Sequence, residues 1–453
     1  MNDRRIAVIG AGITGAAAAH HLLGDDLSER VGGVALFDRA ERVGGRIDQS
    51  SFVGLDVVDA GADAFLARVP DALDLADEVG LGDRLVHPER AGAAVWHDGL
   101  HDIPDGLVLG VPGNPLALAR SGLLSWRGKA RAAAEPVLPR TSTDDDNIGR
   151  YVRARFGDEV HERLVDALVG SIYAADTDNF SLAEVPQLAA LTDDRSLLLA
   201  ARRIARRSVG TGSAAAAPIF AAPRDGLGRL VEATVDAFRE RGGSVHLGVS
   251  VELERRNRRW AIGDDVFDAV ICALPADQAA ELTESFPETA READRADVVM
   301  VTLHVADEEF PERLRGRSGY LVPKPVQRDV TAASFGSQKW AHWAPPAGGQ
   351  ILRVSLGRDG APVRHLDDDE IVTRTHDDLR LHLGVSFSPR EVRITRWPGA
   401  FAQYRPHHRR WVDPKRESLD GHVGAPVVGA LVVSALVEAA VVVGAVVGAA
   451  VVV

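Results

Sequence analysis

The chain opens on a short apolar run ending in glycine, Arg5 to Gly10 (RRIAVIG), and continues into an alanine-rich stretch of helix formers, Ala16 to Leu23. This order predicts a strand and then a helix. A second strand is expected at Val34 to Asp38 after a glycine-rich loop, so Arg5 to Asp38 has the length of one βαβ unit. Val152, Phe156, Val160, Leu164 and Leu168 recur at a spacing of four, which predicts one apolar stripe along a helix from Ile148 to Ile172, with N-cap candidates in Asp144 to Asn147. Leu188 to Arg207 is also predicted helical, and Gly210 to Ala217 (GTGSAAAA) is expected to be a flexible connector. Beyond Pro223 the periodicity shortens. Leu227 to Arg241 is predicted helical, Ser244 to Leu247 and Val249 to Leu253 strand-like, and Phe267 to Ala273 a buried strand. Val298 to Val305, Gly319 to Val322, Ile351 to Leu356 and Val392 to Arg396 are further β-rich runs, with a capped helix at Asp367 to Leu383 between the last two. No repeat period is present, which argues against solenoids and propellers.

At 453 residues the chain is long enough for about three domains, and its 45% hydrophobic and 26% charged residues are those of a globular protein. Its net charge of −13 argues against a nucleic-acid partner, which would need a broad basic face, and favours small molecules. The single cysteine, Cys272, excludes an intramolecular disulfide and a cysteine-rich metal site, so no metal is expected and a reducing compartment is. Met1 to Gly10 has no signal-peptide pattern, making the cytoplasm the default. Val423 to Val453 departs from the rest: it is almost wholly Val, Ala, Gly and Leu, with Glu438 its one charged residue.

Gly10, Gly12 and Gly15 form a GxGxxG between the predicted strand and helix. Their missing side chains allow a tight turn and a close approach of backbone N–H groups to a pyrophosphate. Asp38 follows Gly15 by 23 residues, close to the spacing of an acid that accepts hydrogen bonds from a ribose. The string FDRAERVGGRI then supplies Arg42, Gly44, Gly45 and Arg46. It resembles the segment after the ribose acid in the FAD-dependent amine oxidase and phytoene desaturase superfamily, where the glycines pass close to the diphosphate and the arginines can offset its charge.

Longer strings resemble bacterial protoporphyrinogen and coproporphyrinogen oxidases of haem synthesis: LDVVDAGADAFLARVP (Leu55 to Pro70), YVRARFGDEVHERLVDALVGSIYAADTDNFSL (Tyr151 to Leu182), and SGYLVPK, FGSQKWAHWAP, LRVSLGRDG and RWPGAFAQY between Ser318 and Tyr404. The resemblance implies an α/β fold: a split FAD-binding Rossmann-like domain (1–60, 219–285, 420–453), a sheet-rich substrate domain (61–105, 286–419) and a helical insert (106–218) that faces the membrane in homologues. It implies FAD bound by Gly10, Gly12, Gly15, Asp38, Arg42, Gly45 and Arg46, with Gly61 and Ala62 near the isoalloxazine and Val251 near adenine. For the substrate it implies Gly170 and Tyr173, with Arg68 a candidate partner for a propionate and Ala175, where the family commonly has Gly, a change in the chamber wall.

The implied reaction removes six electrons from a porphyrinogen in two-electron steps, each a hydride passed to flavin N5, with O2 as acceptor and H2O2 as product. No protein side chain is then required as a catalytic group, and no Ser-His-Asp order or acid pair with an evident acid/base assignment is visible in the sequence. Coproporphyrinogen III is preferred over protoporphyrinogen IX. A downstream haem-pathway enzyme is a further candidate partner, and the oligomeric state is open. His407 and His408 carry little expectation of a role, and Arg202, Arg203, Arg206 and Arg207 are expected to form a solvated helix face before a lipid contact. Leu123, Leu124 and Trp126 are candidates for touching a bilayer.

The family normally closes on a Gly-Val-Gly-Ile-Pro-like turn that the stretch after Asp420 lacks. An altered C-terminus, a membrane tail and a rebuilt last strand and helix of the FAD domain are the three readings, the first being preferred. The rivals to an active porphyrinogen oxidase are an amine or carotenoid oxidase and a non-catalytic protein that binds porphyrin or anchors to a membrane.

Overall fold

A continuous apolar run and a glycine exit make Arg4–Ile9 an inner strand of a parallel sheet. It pairs with Val31–Phe37 on one side (Val8 opposite Leu36) and with Ala269–Cys272 on the other, and Ser244–His246 adds to Val31–Phe37 at the edge. Helix Ile13–Leu22 lies on this sheet with its alanines buried and packs against helix Gly228–Glu240, whose Leu230, Val231 and Phe238 fill the space that small side chains leave. The computed structural model describes residues 4–24, 31–89, 91–210, 218–257, 259–282 and 294–410. Val249 to Leu253, expected as a strand, forms no ladder among the described residues; Val249 N–H donates to the Asp38 carbonyl, Val249, Val251 and Leu253 pack in one cluster with Phe37, and the strand begins at Glu254.

A second sheet has seven strands in the order Glu391–Ala402, Arg295–Val305, Gln350–Leu356, Val330–Phe335, Arg317–Leu321, Gly92–Trp96 and Leu100–Asp102. Because side chains alternate along a strand, its two faces differ. One carries Val299, Val301, Leu303, Leu352, Val354 and Leu356 onto helix Asp368–Leu383, which starts on a capping box of Asp367 and Glu370. The other is buried but polar: Ser334, Arg353, Thr302 and Arg393 stand side by side across four adjacent strands, and Ser355, Met300 and Thr395 form the next row.

A helical layer covers part of that polar face. Its helix Ile148–Phe156 is capped by Asn147, whose side chain accepts from Arg150 N–H at 2.8 Å. The single helix expected from 148 to 172 is interrupted: Gly157 adopts φ +86°, and His161–Gly170 is a π-helix. The stripe predicted on that helix is buried throughout, from Val152 to Leu168. A repeat of four exceeds the 3.6 residues of an α-turn and fits a stripe shared between α and wider π turns. The second predicted helix is likewise split into Pro186–Ala189, a 3-10 turn at Ala190–Asp193, and Leu197–Gly210.

At the start of the last helix Glu135, wholly buried, accepts from Leu197 N–H, Ser196 and the guanidinium of Arg155. Leu123 and Leu124 do not reach outward; they are buried in the helical core, whereas Trp126 is 74% exposed. Arg202, Arg203 and Arg206 are exposed, Arg203 pairing with Asp194, while the side chain of Arg207 lies outside the described residues. His407 donates its N–H to Asp146, and the His408 ring lies 4.9 Å from that of Tyr404. The expected connector is described only at Gly210, and the stretch after Asp420 lies outside the described residues altogether. Among those described, no helix is long and apolar enough to cross a membrane.

Candidate active site

The first strand and helix are joined by a turn that only glycine permits at two places. Gly10 has φ +106°, and a Cβ on Gly15 would lie 1.8 Å from the Gly10 carbonyl oxygen. At Gly12, the N-cap, a Cβ would meet only the Gly44 carbonyl oxygen at 3.9 Å, and no side chain caps the helix. The first-turn N–H groups are therefore available to an anion. The Asp38 carboxylate accepts from Ala11 N–H at 2.6 Å and Ala40 N–H at 2.8 Å, which leaves lone pairs for ribose hydroxyls. Gly44 donates its N–H to the Ala11 carbonyl, and Gly45 comes close to Gly12, so the second glycine loop lies against the first. These features fit FAD.

Arg42 and Arg46 are occupied differently from the expectation. Arg42 donates to the carbonyls of Val43, Gly45 and Ile47 and so ties the loop together, and Arg46 donates to those of Gly399 and Ala400. Their charge remains beside the turn, but the donors named here are directed at protein. Burial, then Arg295, lowers the pKa of Arg46. Val251 sits near the end of strand Val31–Phe37, outside regular structure.

Gly61 links the glycine turns to the second sheet. A Cβ there would lie 3.0 Å from both the Arg46 carbonyl oxygen and the Trp397 ring, while Ala62 is buried beside Ala11 in the core. Arg353 donates to the Gly61 carbonyl and pairs with Asp63 at 3.2 Å; Asp63 also accepts from Lys339 at 3.1 Å and Trp340 at 3.1 Å. Four residues away, Asp59 accepts from Leu227 N–H at 2.9 Å.

These two acids are driven apart. Burial pushes the Asp59 carboxyl up to about 7, helped by Asp63 and opposed by the Leu227 N–H, Arg353 and Arg393. Burial would also raise Asp63, but Lys339 and Arg353 outweigh it and hold that carboxyl below its usual range. The sequence gives no sign of an acid pair with split protonation. The signal that was available is two acids flanking a glycine within an otherwise apolar string, LDVVDAGADAF.

Because Asp59 binds its proton more tightly when folded than when unfolded, it makes stability fall as pH rises from about 4 to about 7. The Asp59→Asn variant should therefore gain on the parent protein by on the order of 2–3 kcal/mol between pH 5 and 8. Paired urea melts at the two pH values measure this, and a pH-independent difference would contradict the assignment.

A small pocket lies where the polar sheet face meets the helical layer, lined by Gly170, Ser171, Val298, Ser355, Arg358 and Phe401 among others. Arg358, 5% exposed, donates to Asp166 at 2.9 Å and to the Ala175 carbonyl. Arg358 outweighs the effect of burial and lowers the Asp166 pKa. Of the three substrate candidates only Gly170 lines this cavity. Tyr173 lies close by, its ring 5.2 Å from that of Phe180 and its carbonyl accepting from Gln403, and Arg68 is exposed just before helix Pro70–Glu78. Ala175 is fully buried and does not form part of the lining, so its methyl group does not narrow this space. Arg358, Asp166 and Arg353 were missed because strand register and chain folding, not proximity in sequence, assemble them.

The chain is similar to known proteins along nearly its whole length. Coproporphyrinogen III oxidase of Bacillus subtilis strain 168 is 30% identical over 440 residues, 92% of each chain, and that of Mycobacterium leprae strain TN is 32% identical over 439 residues, again 92% of each. A crystal structure from Exiguobacterium sp. 255-15 superposes with a TM-score of 0.80 at 25% identity, covering 98% of this chain and 99% of that one. Cyclohexylamine oxidase from Brevibacterium oxydans IH-35A shares the fold at a TM-score of 0.59 and 18% identity, over 98% of this chain and 99% of that one. A family model for flavin containing amine oxidoreductases matches residues 13–438. With its glycine turns and buried polar sheet face, the chain belongs to this family of flavin-containing oxidoreductases, and its cofactor is FAD.

Proposed function

We propose that the protein oxidises a porphyrinogen in haem synthesis, coproporphyrinogen III to coproporphyrin III, with O2 as electron acceptor and H2O2 as product. The relatives' activity supports the substrate class. The observation that carries the reading is the buried polar face of the seven-stranded sheet, covered by helices at one end and touching Gly61 at the other. A flat macrocycle on that face would have polar groups along its edges and the cofactor side of Gly61 and Ala62 at its reactive carbon.

Held at the turn of Gly10, Gly12 and Gly15, FAD would supply the two-electron acceptor for each of three successive oxidations, with O2 the final acceptor. The chain's own residues orient and desolvate. Gly170 permits the Arg358–Asp166 contact at the cavity floor, since a Cβ there would lie 2.5 Å from an Arg358 nitrogen and 3.0 Å from the Ala175 carbonyl oxygen. Ser171 and Thr331, whose hydroxyls donate to the Ala167 and Ser355 carbonyls, can accept, Ser355 offers a further hydroxyl, and Val298 and Phe401 supply apolar walls that exclude water. Arg68, exposed, remains a proposed propionate contact at the rim, and Tyr173 a proposed support for the chamber turn.

Adding reduced coproporphyrinogen III without oxygen should bleach the yellow of the bound cofactor, and admitting air should restore it with peroxide formed. Protoporphyrinogen IX tested alongside decides the preference, and an FAD-loaded protein that bleaches with neither refutes the proposal. Gly170→Val should lower kcat/KM for coproporphyrinogen at least tenfold with the flavin spectrum unchanged, because the added methyls displace Arg358 and fill the cavity floor. Equal kcat/KM in the variant would remove this cavity from the substrate path.

A further inference from the structure

Segment Asp59–Asp63 is held by donors from several directions. Arg393 donates to the Asp59 carbonyl, Trp397 to that of Ala60 and Arg353 to that of Gly61, while Lys339, Trp340 and Arg353 surround the Asp63 carboxylate. Two nearly fully buried cations, Arg353 and Lys339, thus share the Asp63 carboxylate, while Arg393 also answers Asp48 and Glu391. Lys339 and Arg353 are 2% and 3% exposed, so water screens this excess positive charge weakly. Arg353 stands in the polar row directly opposite Thr302, and among the described residues its Nε and the Thr302 hydroxyl have no hydrogen-bond partner. This face of the sheet is therefore buried without being satisfied by the protein itself.

We propose that Arg353 is a positioning residue that acts through the Gly61 carbonyl to raise the electron affinity of FAD. A guanidinium donating to that carbonyl polarises the Gly61–Ala62 peptide and makes the Ala62 N–H a stronger donor. Its charge, fixed by Asp63 and backed by Lys339, favours a neighbouring group that becomes more negative on reduction. The inference rests on the FAD ring lying along Gly61 and Ala62, and does not depend on the identity of the substrate.

The test uses the full FAD-loaded chain and two readouts that need no porphyrinogen: the midpoint potential by dye-coupled reduction, and the dissociation constant of the sulfite adduct. Arg353→Met should lower the potential and weaken sulfite binding at least tenfold, with Arg353→Lys recovering most of both. Lys339→Met, which leaves the Gly61 contact in place, should shift both in the same direction by less. Sulfite affinity within twofold of the parent and an unchanged potential in Arg353→Met overturn the proposal; if that variant holds no FAD, the same result in Lys339→Met does so. Normal shifts in a protein that no porphyrinogen bleaches would uphold this inference while refuting the proposed substrate.

Discussion

Replacing Gly15 by valine is expected to yield a chain that retains no FAD after desalting. A Cβ at this position would sit 1.8 Å from the Gly10 carbonyl oxygen, 3.0 Å from its carbon and 3.2 Å from the Ala273 Cβ. Backbone lies on one side and a neighbouring strand end on the other, so no side-chain rotation relieves the overlap. Helix Ile13–Leu22 must move off strand Arg4–Ile9, and its first-turn N–H groups then lose their common direction. FAD affinity should fall by at least 100-fold, about 2.7 kcal/mol, as measured by fluorescence titration. Gly12→Ala separates fold from cofactor. There the Cβ has room within the protein, so the thermal melt of the apoprotein should match the parent's while FAD binding weakens, because the methyl occupies space the diphosphate needs. A Gly15→Val protein that stays yellow would overturn the assignment of this turn.

The second large effect is on stability. Glu135 and Arg155 are 0% and 1% exposed and bonded to each other, and Glu135 also accepts from Ser196, Leu197 N–H and Leu198 N–H at the start of helix Leu197–Gly210. Truncation to alanine leaves a buried guanidinium without its counter-charge and the helix start without its acceptor. Glu135→Ala should cost on the order of 3–5 kcal/mol in urea unfolding, and Glu135→Gln less, because the amide oxygen still accepts. A loss below about 1 kcal/mol for the alanine variant would mean that water reaches this pair.

How far the sequence discloses such features depends on the distance over which they are assembled. The strand, glycine turn, helix and Asp38 span Arg5 to Asp38, and local spacing makes them legible without any tertiary information. The run of strands beyond Val298 follows from periodicity in the same way, whereas the α/β class of the whole chain is implied by the family resemblance. The polar row Ser334–Arg353–Thr302–Arg393 is invisible in sequence because it exists only once four strands have found their register. Val249 to Leu253 shows the converse: its alternation suits a strand, but among the described residues only Val249 N–H bonds to a neighbouring strand end, at the Asp38 carbonyl, and no ladder forms. Leu123 and Leu124 follow the same rule, since an apolar pair in sequence does not say whether lipid or a folded-back helix will cover it. Arg42 and Arg46 match a motif, yet their donors serve carbonyls whose positions the motif does not encode.

The π-helix at His161–Gly170 brings Asp166 and Gly170 round to Arg358. Losing one codon from this stretch would narrow a wide turn to an ordinary one, changing which residues face Arg358 while the chain after it keeps its place. The chamber floor would then present a different set of side chains to whatever enters. One deletion, with no substitution at all, is a step by which descendants of this gene could change what they accept.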